Sequence, residues 1–276
     1  MKMKEKQNLT SGNITKNLVL FALPLLWANL LQSFYSIADM FVVGRTVGQS
    51  GLAAVSNASM ICFIINSFCL GITMGGTVLI AQLKGAGDRK GQTETVGTLF
   101  LVTFIASFVI TISGLIFCRP LFILLKVPAA AMQDACAYMK IICCGTIFIF
   151  GYHAVCSVMK GLGDSRSPLC FVTVAAAVNV ILDLFLVSYL KIGTKGAAYA
   201  TVFSQGISFV TAVIYLKRRN FVFDFKIRHF AVKADKLAVI MKIGLPAAGQ
   251  MIIVNISYLL ITCLLYTSPS PRDRSL

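Results

Sequence analysis

The stretch Leu18–Val43 reads LVLFALPLLWANLLQSFYSIADMFVV, and its one charged residue is Asp39. About 20 apolar residues suffice to cross the hydrocarbon core of a bilayer as a helix. The stretch is therefore read as a transmembrane helix. A carboxylate inside it costs at least about 2.5 kcal/mol at a helix centre, so it is expected to face a partner or a water-filled cavity. Six further runs of spanning length follow: Leu52–Leu83, Thr93–Phe117, Ala137–Met159, Leu169–Leu190, Ala197–Leu216 and Leu237–Thr262. The segment Pro120–Val127 is too short to span and is assigned to the interface or to the start of the fourth helix. The fold class expected is an all-α membrane protein.

Composition agrees. Of the 276 residues, 57% are hydrophobic and 13% charged, with a mean hydropathy of +0.83. Soluble domains carry roughly 25% charged residues. The net charge of +15 sits between apolar runs, not along one face, which argues for membrane orientation and against nucleic acid. With the N-terminus in the cytoplasm, 17 Lys and Arg fall on the cytoplasmic side and 6 on the other, leaving aside two at the extreme C-terminus. That bias predicts an N-terminus inside the cell. No cleavable signal peptide is expected, because the first apolar run has no clear small-residue cleavage site.

The nine cysteines include no CxxC pair and no zinc-type Cys/His spacing, so they are read as small buried apolar residues. The longest polar stretch, Lys217–Lys236, carries seven basic residues and Phe221, Phe223, Phe225 and Phe230, the pattern of an interfacial helix. The expected domains are a cytoplasmic segment 1–17, a six-helix lobe 18–216, a basic linker 217–236, a seventh helix 237–262 and a tail 263–276. An internal echo supports the division: Phe21-Ala22-Leu23-Pro24 resembles Ile243-Gly244-Leu245-Pro246. Repeated halves are common in secondary transporters. A second echo, K-G-x-G-D at Lys84–Asp88 and Lys160–Asp164, predicts helix ends with glycine turns. P-loop spacing is absent there. The tail from Cys263 to Asp273 resembles the in-frame translation of a common sequencing adapter, and it is excluded from function.

Asp39 and Asp183 are the two carboxylates well within the spans. Asn179 and Asp183, four apart, share a helix face, as do Thr201 and Gln205. With the N-terminus inside, Asp39, Asp183 and Thr201 fall in the outer halves of their helices. Two carboxylates, an amide oxygen and a hydroxyl make a hard-oxygen set suited to a small cation such as Na⁺. The same carboxylates could instead hold protons, and a cluster that only joins helices is the structural alternative. Tyr35, one turn before Asp39, could reach the cluster or simply pack. Pro24 either bends the first helix or lies in its first turns, where proline is tolerated. Gly71, Gly75 and Gly76 fit close helix packing. His153 is read as a core histidine.

At these residues the chain resembles the multidrug and toxic compound extrusion family. The likeness runs from Asn13 to about Thr262. It is carried by Ala22-Leu23-Pro24, Ser36-Ile37-Ala38-Asp39-Met40-Phe41-Val42-Val43-Gly44, Gly51-Leu52-Ala53-Ala54-Val55-Ser56 and Ala81-Gln82-Leu83-Lys84-Gly85-Ala86-Gly87-Asp88. Lys160-Gly161-Leu162-Gly163-Asp164, Asn179-Val180-Ile181-Leu182-Asp183, Gly196-Ala197-Ala198-Tyr199-Ala200-Thr201 and Ser204-Gln205 continue it. The resemblance implies twelve helices in two six-helix lobes, of which this chain holds the N-terminal lobe and the first helix of the second, without the rest of the C-terminal lobe. It implies alternating access, no cofactor and no enzymatic activity, with export of amphipathic or cationic organic compounds across a prokaryotic cytoplasmic membrane, driven by Na⁺ or H⁺. Asp39, Asn179, Asp183 and Thr201 match the N-lobe cation site of the DinF-type branch, where ion binding is linked to bending of helix one. A lipid-linked sugar flippase of the same fold group is the alternative. It calls for basic groups in the cavity, and no Lys or Arg lies mid-span. An intramembrane enzyme would need a nucleophile–base set or a metal constellation, and a retinal-type receptor a mid-span lysine in helix seven. Neither is present.

Overall fold

The computed structural model describes residues 13–218 and 231–267. The long helical run Ile14–Gly85 breaks at Gly48, whose φ of 81° and ψ of −166° lie outside helical space. Glycine adopts that conformation without the steric penalty of a Cβ. The break yields two antiparallel helices, α1 (Thr15–Gly48) and α2 (Gly51–Gly85). Then come α3 (Arg89–Leu124), α4 (Ala129–Gly161), α5 (Arg166–Tyr189), α6 (Thr194–Arg218) and α7 (Ala234–Thr267). Among the described residues these seven are long and apolar enough to cross a membrane, as the sequence predicts.

Three boundaries differ from expectation. Helix α3 runs through Arg119-Pro120 to Leu124, and α4 starts at Ala129, not near Ala137. Pro120 removes a single backbone donor, and helix α3 carries on beyond it. At 36 residues α3 is about 54 Å long, so it must tilt or project beyond an apolar core of about 30 Å. Helix α7 reaches Thr267, five residues past the expected end, so the tail begins inside it. Residues 1–12, 219–230 and 268–276 lie outside the described residues, and with them the interfacial helix through Phe221–Phe230 and most of the tail.

Both K-G-x-G-D segments end helices. Gly87 and Gly163 take φ of 73° and 78°. Asp88 N–H reaches back to Leu83 O at 3.0 Å, and Asp164 N–H to Met159 O at 2.9 Å. The aspartates then start the next helices: Asp88 Oδ1 accepts from Gly91 N–H at 2.8 Å and Asp164 Oδ1 from Ser167 N–H at 3.1 Å. Lys84 Nζ donates to Leu162 O, joining the two loops.

Helix α4 is the centre of the bundle. Toward α2, the Thr77 and Ser157 hydroxyls pair at 2.7 Å. Toward α3, the Thr111 and Thr146 hydroxyls pair at 2.8 Å, and Thr111 donates to Cys143 O at 2.7 Å. Toward α6, Val202 packs on Gly145 and Phe209 on Gly151. In hydrocarbon such hydroxyls have no water to turn to, so they bond across helices. Helix α1 differs sharply. Val43 near its C-terminal end is fully buried in the core, while most of its N-terminal two thirds is exposed. The cysteines depart from expectation in part: Cys69, Cys118, Cys143 and Cys156 are buried, but Cys144 and Cys170 are exposed on helix faces that an apolar solvent would cover.

Candidate functional site

Asp39 lies in α1 about 13 Å from the Gly48 break, measured along the helix. Asp183 ends the regular part of α5. The next six residues, Leu184–Tyr189, form a π-helical turn that closes with Leu190 N–H donating to Phe185 O at 2.9 Å. Such turns shift the register of a helix and often sit at functional positions. The fold brings the two carboxyls close to each other, although they are 144 positions apart in the chain.

Asn179 and Asp183 are both 1% exposed and lie one turn apart on the buried side of α5. Among the described residues, neither amide atom of Asn179, neither oxygen of Asp183 and not Oδ1 of Asp39 has a hydrogen-bond partner. Buried polar groups in folded proteins are overwhelmingly satisfied, so such a cluster calls for a partner from outside the chain, water or an ion. Two carboxylates brought together, one of them fully buried, are strongly disfavoured as bare anions without a counter-charge. A bound cation or a shared proton meets both requirements. Among the described residues no group of three or more His, Cys, Asp or Glu is arranged for a metal. Any ion here would rely on the neutral oxygens of Asn179 and Thr201 beside the two carboxylates, an oxygen set that suits a hard cation.

The site opens onto a cavity of about 440 Å³ walled by α1, α2, α4, α6 and α7. Asp39, Tyr35, Thr201 and Gln205 line it, whereas Asn179 and Asp183 are not among its lining residues. Gln205 is 8% exposed, and its Oε1 also has no partner, although Tyr35 comes close to it. Pro24 is not in the first turns of α1. The helix starts at Ile14 and the backbone stays helical through Pro24, which therefore interrupts the ladder in the interior.

Sequence reasoning missed several lining residues. Tyr138 of α4, 5% exposed, stands close to both Asp39 and Asp183 and to Ser59. Asn66 of α2 lines the cavity with its Oδ1 buried and unpartnered. His153, expected in the core, also lines it. The signal for Asn66 was an amide in mid-span. Tyr138 and His153 are uninformative until the helix faces are known.

The MatE family model matches residues 24–185, more than half of the chain. The chain belongs to the MatE family. It is a multi-pass membrane protein. "Probable multidrug resistance protein YpnP" of Bacillus subtilis is 32% identical over 248 residues, covering 90% of this chain and 55% of that protein. "Probable multidrug resistance protein YoeA" of the same organism is 32% identical over 259 residues, 91% of this chain and 56% of that protein. A solved structure described as the outward-facing conformation of a multidrug resistance MATE family transporter of the MOP superfamily superposes with a TM-score of 0.87. It is 24% identical and covers 96% of this chain and 58% of its own, which shows a shared fold. The chain spans about half the length of the curated MatE relatives it matches.

Proposed function

We propose that this chain forms the ion-binding half of a cation-coupled exporter of amphipathic, often cationic organic compounds. Residues 18–216 act as the ion-binding lobe, 217–236 as a basic cytoplasmic linker, and the helix from 237 as the start of a second unit. The N-terminus lies in the cytoplasm, and the membrane is a prokaryotic plasma membrane. The observation that carries this reading is the group of buried, unpartnered polar atoms on Asp39, Asn179 and Asp183, placed against a cavity large enough for an organic ligand. Family membership supports it.

In the proposed cycle Na⁺ or H⁺ arrives from outside and neutralises the Asp39/Asp183 pair. Asn179 and Thr201 supply neutral oxygens, and Tyr35 and Gln205 lie at the mouth of the site. Neutralisation lets α1 repack about Pro24, which disfavours the substrate-bound outward state and releases the organic compound outward. The ion acts only through its different affinity for the two arrangements of α1. No Lys or Arg lines the cavity, so no group there favours a phosphate-bearing lipid.

The test is dye efflux from cells expressing a full-length transporter that carries this chain as its first half. Asp183→Asn is expected to abolish ion-coupled export while the protein still reaches the membrane. Export that continues undiminished, with the same dependence on the ion gradient, rejects the assignment.

A further inference from the structure

Helices α4 and α6 touch where Val202 packs on Gly145 and Phe209 on Gly151, so they run in the same direction. Beside this contact they leave a groove of about 300 Å³. Lys140 and Cys144 of α4 and Tyr199 and Phe203 of α6 wall it, and Gly145 and Val202 complete it. Helix α6 turns Thr201 and Gln205 to the large cavity and Tyr199 and Phe203 to this groove. The two spaces share no lining residue.

The groove is apolar along most of its length and cationic at one end. Lys140 lies about 16 Å along α4 from Ala129. Counting back five residues from the Gly145–Val202 contact puts it level with Ala197, in the first turn of α6. Lys195, Tyr199 and Phe203 follow one another at single turns on one face of α6. Lys140, Cys144, Lys195, Tyr199 and Phe203 are all exposed. Side chains on a helix lean toward its N-terminus. Both N-termini are at the same end of the bundle, so both lysines lean toward the same membrane surface. Among the described residues neither lysine has an ion-pair or hydrogen-bond partner. Asp134, the acidic residue nearest to Lys140 along α4, is six positions away and on another face.

The apolar length of the groove suits an acyl chain, and its cationic end suits an anion at headgroup depth. A phospholipid carries both in one molecule. A protein helix laid there would bury two unpaired charges, which is costly. A free phosphate would leave the apolar length unfilled. Basic pockets between membrane helices bind anionic headgroups for the same reasons.

We propose that this groove binds one anionic phospholipid, of the phosphatidylglycerol type, in the leaflet at the N-terminal ends of α4 and α6. Lys140 and Lys195 flank its phosphate, and the Tyr199 hydroxyl donates to it. One acyl chain runs over Val202, Phe203 and Cys144. A zwitterionic lipid brings its own ammonium to the same place and gains less. Each lysine near the surface contributes about fivefold to the binding of an anionic lipid, so the pair gives a preference of about 25-fold.

The test uses the whole chain in phosphatidylcholine vesicles and reads the quenching of tryptophan by lipids with brominated acyl chains. Trp27, the chain's one tryptophan, is 53% exposed on α1 and reports the surrounding lipid. In a second version Trp27→Phe removes it and Phe203→Trp places the reporter in the groove. The groove reporter is expected to respond to brominated phosphatidylglycerol at about 25-fold lower content than to brominated phosphatidylethanolamine, while Trp27 responds alike to both. Lys140→Gln should reduce the preference about fivefold, as should Lys195→Gln. The double substitution should abolish it, and Lys140→Arg should retain it. Four results would each overturn the proposal. The groove reporter responds equally to the two lipids. The preference survives the double substitution. Inorganic phosphate at constant ionic strength removes the preference, which would make the site one for a soluble anion. No brominated lipid quenches the groove reporter, which would mean that another protein surface covers the groove.

Discussion

Substituting Gly75 by Ala adds one carbon at the tightest point of the α2–α7 crossing. That Cβ would stand 2.3 Å from Ile240 O and 3.1 Å from Gly244 N. A carbon–oxygen contact relaxes to about 3.3 Å, so the two helices must part by roughly 1 Å. A gap of that size forfeits about a quarter to a half of the dispersion attraction along the seam. Overpacking of this kind costs about 1–3 kcal/mol. The Asn255–Ser67 hydrogen bond is stretched as the helices separate, and interhelical bonds in membranes average about 0.6 kcal/mol. Against this, alanine in a helix gains up to about 1 kcal/mol over glycine. Gly249 supplies the control, since a Cβ there meets nothing within 4 Å. Gly75→Ala is thus expected to be about 2–4 kcal/mol less stable than Gly249→Ala. Reversible unfolding in mixed lipid–SDS micelles measures the difference, and spin labels on α2 and α7 report whether the seam has opened. If the two variants agree within about 0.5 kcal/mol, the direct backbone contact is not what holds α7 in place.

Three further outcomes follow from the same geometry. Asn179→Leu should be neutral or slightly stabilising, because neither amide atom bonds to the protein, while ion binding measured by calorimetry disappears; a loss of stability of about 1–2 kcal/mol with ion binding intact would make Asn179 a structural link instead. Gly87→Ala, at φ 73°, should lose about 1–2 kcal/mol, whereas Gly85→Ala should lose nothing by comparison, and paired thermal melts settle it. Ser157→Ala removes the Thr77–Ser157 hydroxyl pair between α2 and α4 and should cost about 0.6–1.7 kcal/mol in the unfolding assay, with ion affinity unchanged.

The seven helices were legible because a long apolar run has few ways to satisfy its backbone in lipid. The pairing of Asp39 with Asp183 was legible as a matter of depth: both lie near the same level, and both are too polar for hydrocarbon. Other features depend on three-dimensional facts that a single sequence does not carry. Nothing in Leu184–Tyr189 announces a π-helical turn, since its residues are as apolar as those of any span. The continuation of α3 past Pro120 depends on the helix tolerating one missing donor, which no local pattern reveals. Tyr138 and His153 could not be told from core residues until α4 was seen to turn them toward the cavity. Gly71 and Gly75 were legible as packing residues, but not their partner, because the seam involves a helix more than 160 positions away.

The two carboxyls belong to helices of very different mechanical standing, and that difference suggests which element yields in the proposed cycle. Asp183 is fixed in α5, which is tied to α6 by Ser208 Oγ donating to Phe171 O at 2.9 Å and by Ser167 Oγ meeting Tyr215 Oη at 2.7 Å. Asp39 is carried by α1, whose N-terminal two thirds has little of the bundle against it. Two like charges about 4 Å apart repel by roughly 4 kcal/mol at the effective dielectric of a partly solvated protein site. Breaking one interhelical hydrogen bond takes about 0.6–1.7 kcal/mol, and shifting the α2–α4–α3 core would break several. Shifting α1 breaks few contacts, and Pro24 has already removed one rung of its ladder. In the proposed cycle the repulsion therefore acts first on α1, the element held by the fewest contacts, before the hydrogen-bonded core. A cation or proton that cancels it would, in that proposed cycle, change the position of α1 and leave the rest of the bundle where it was.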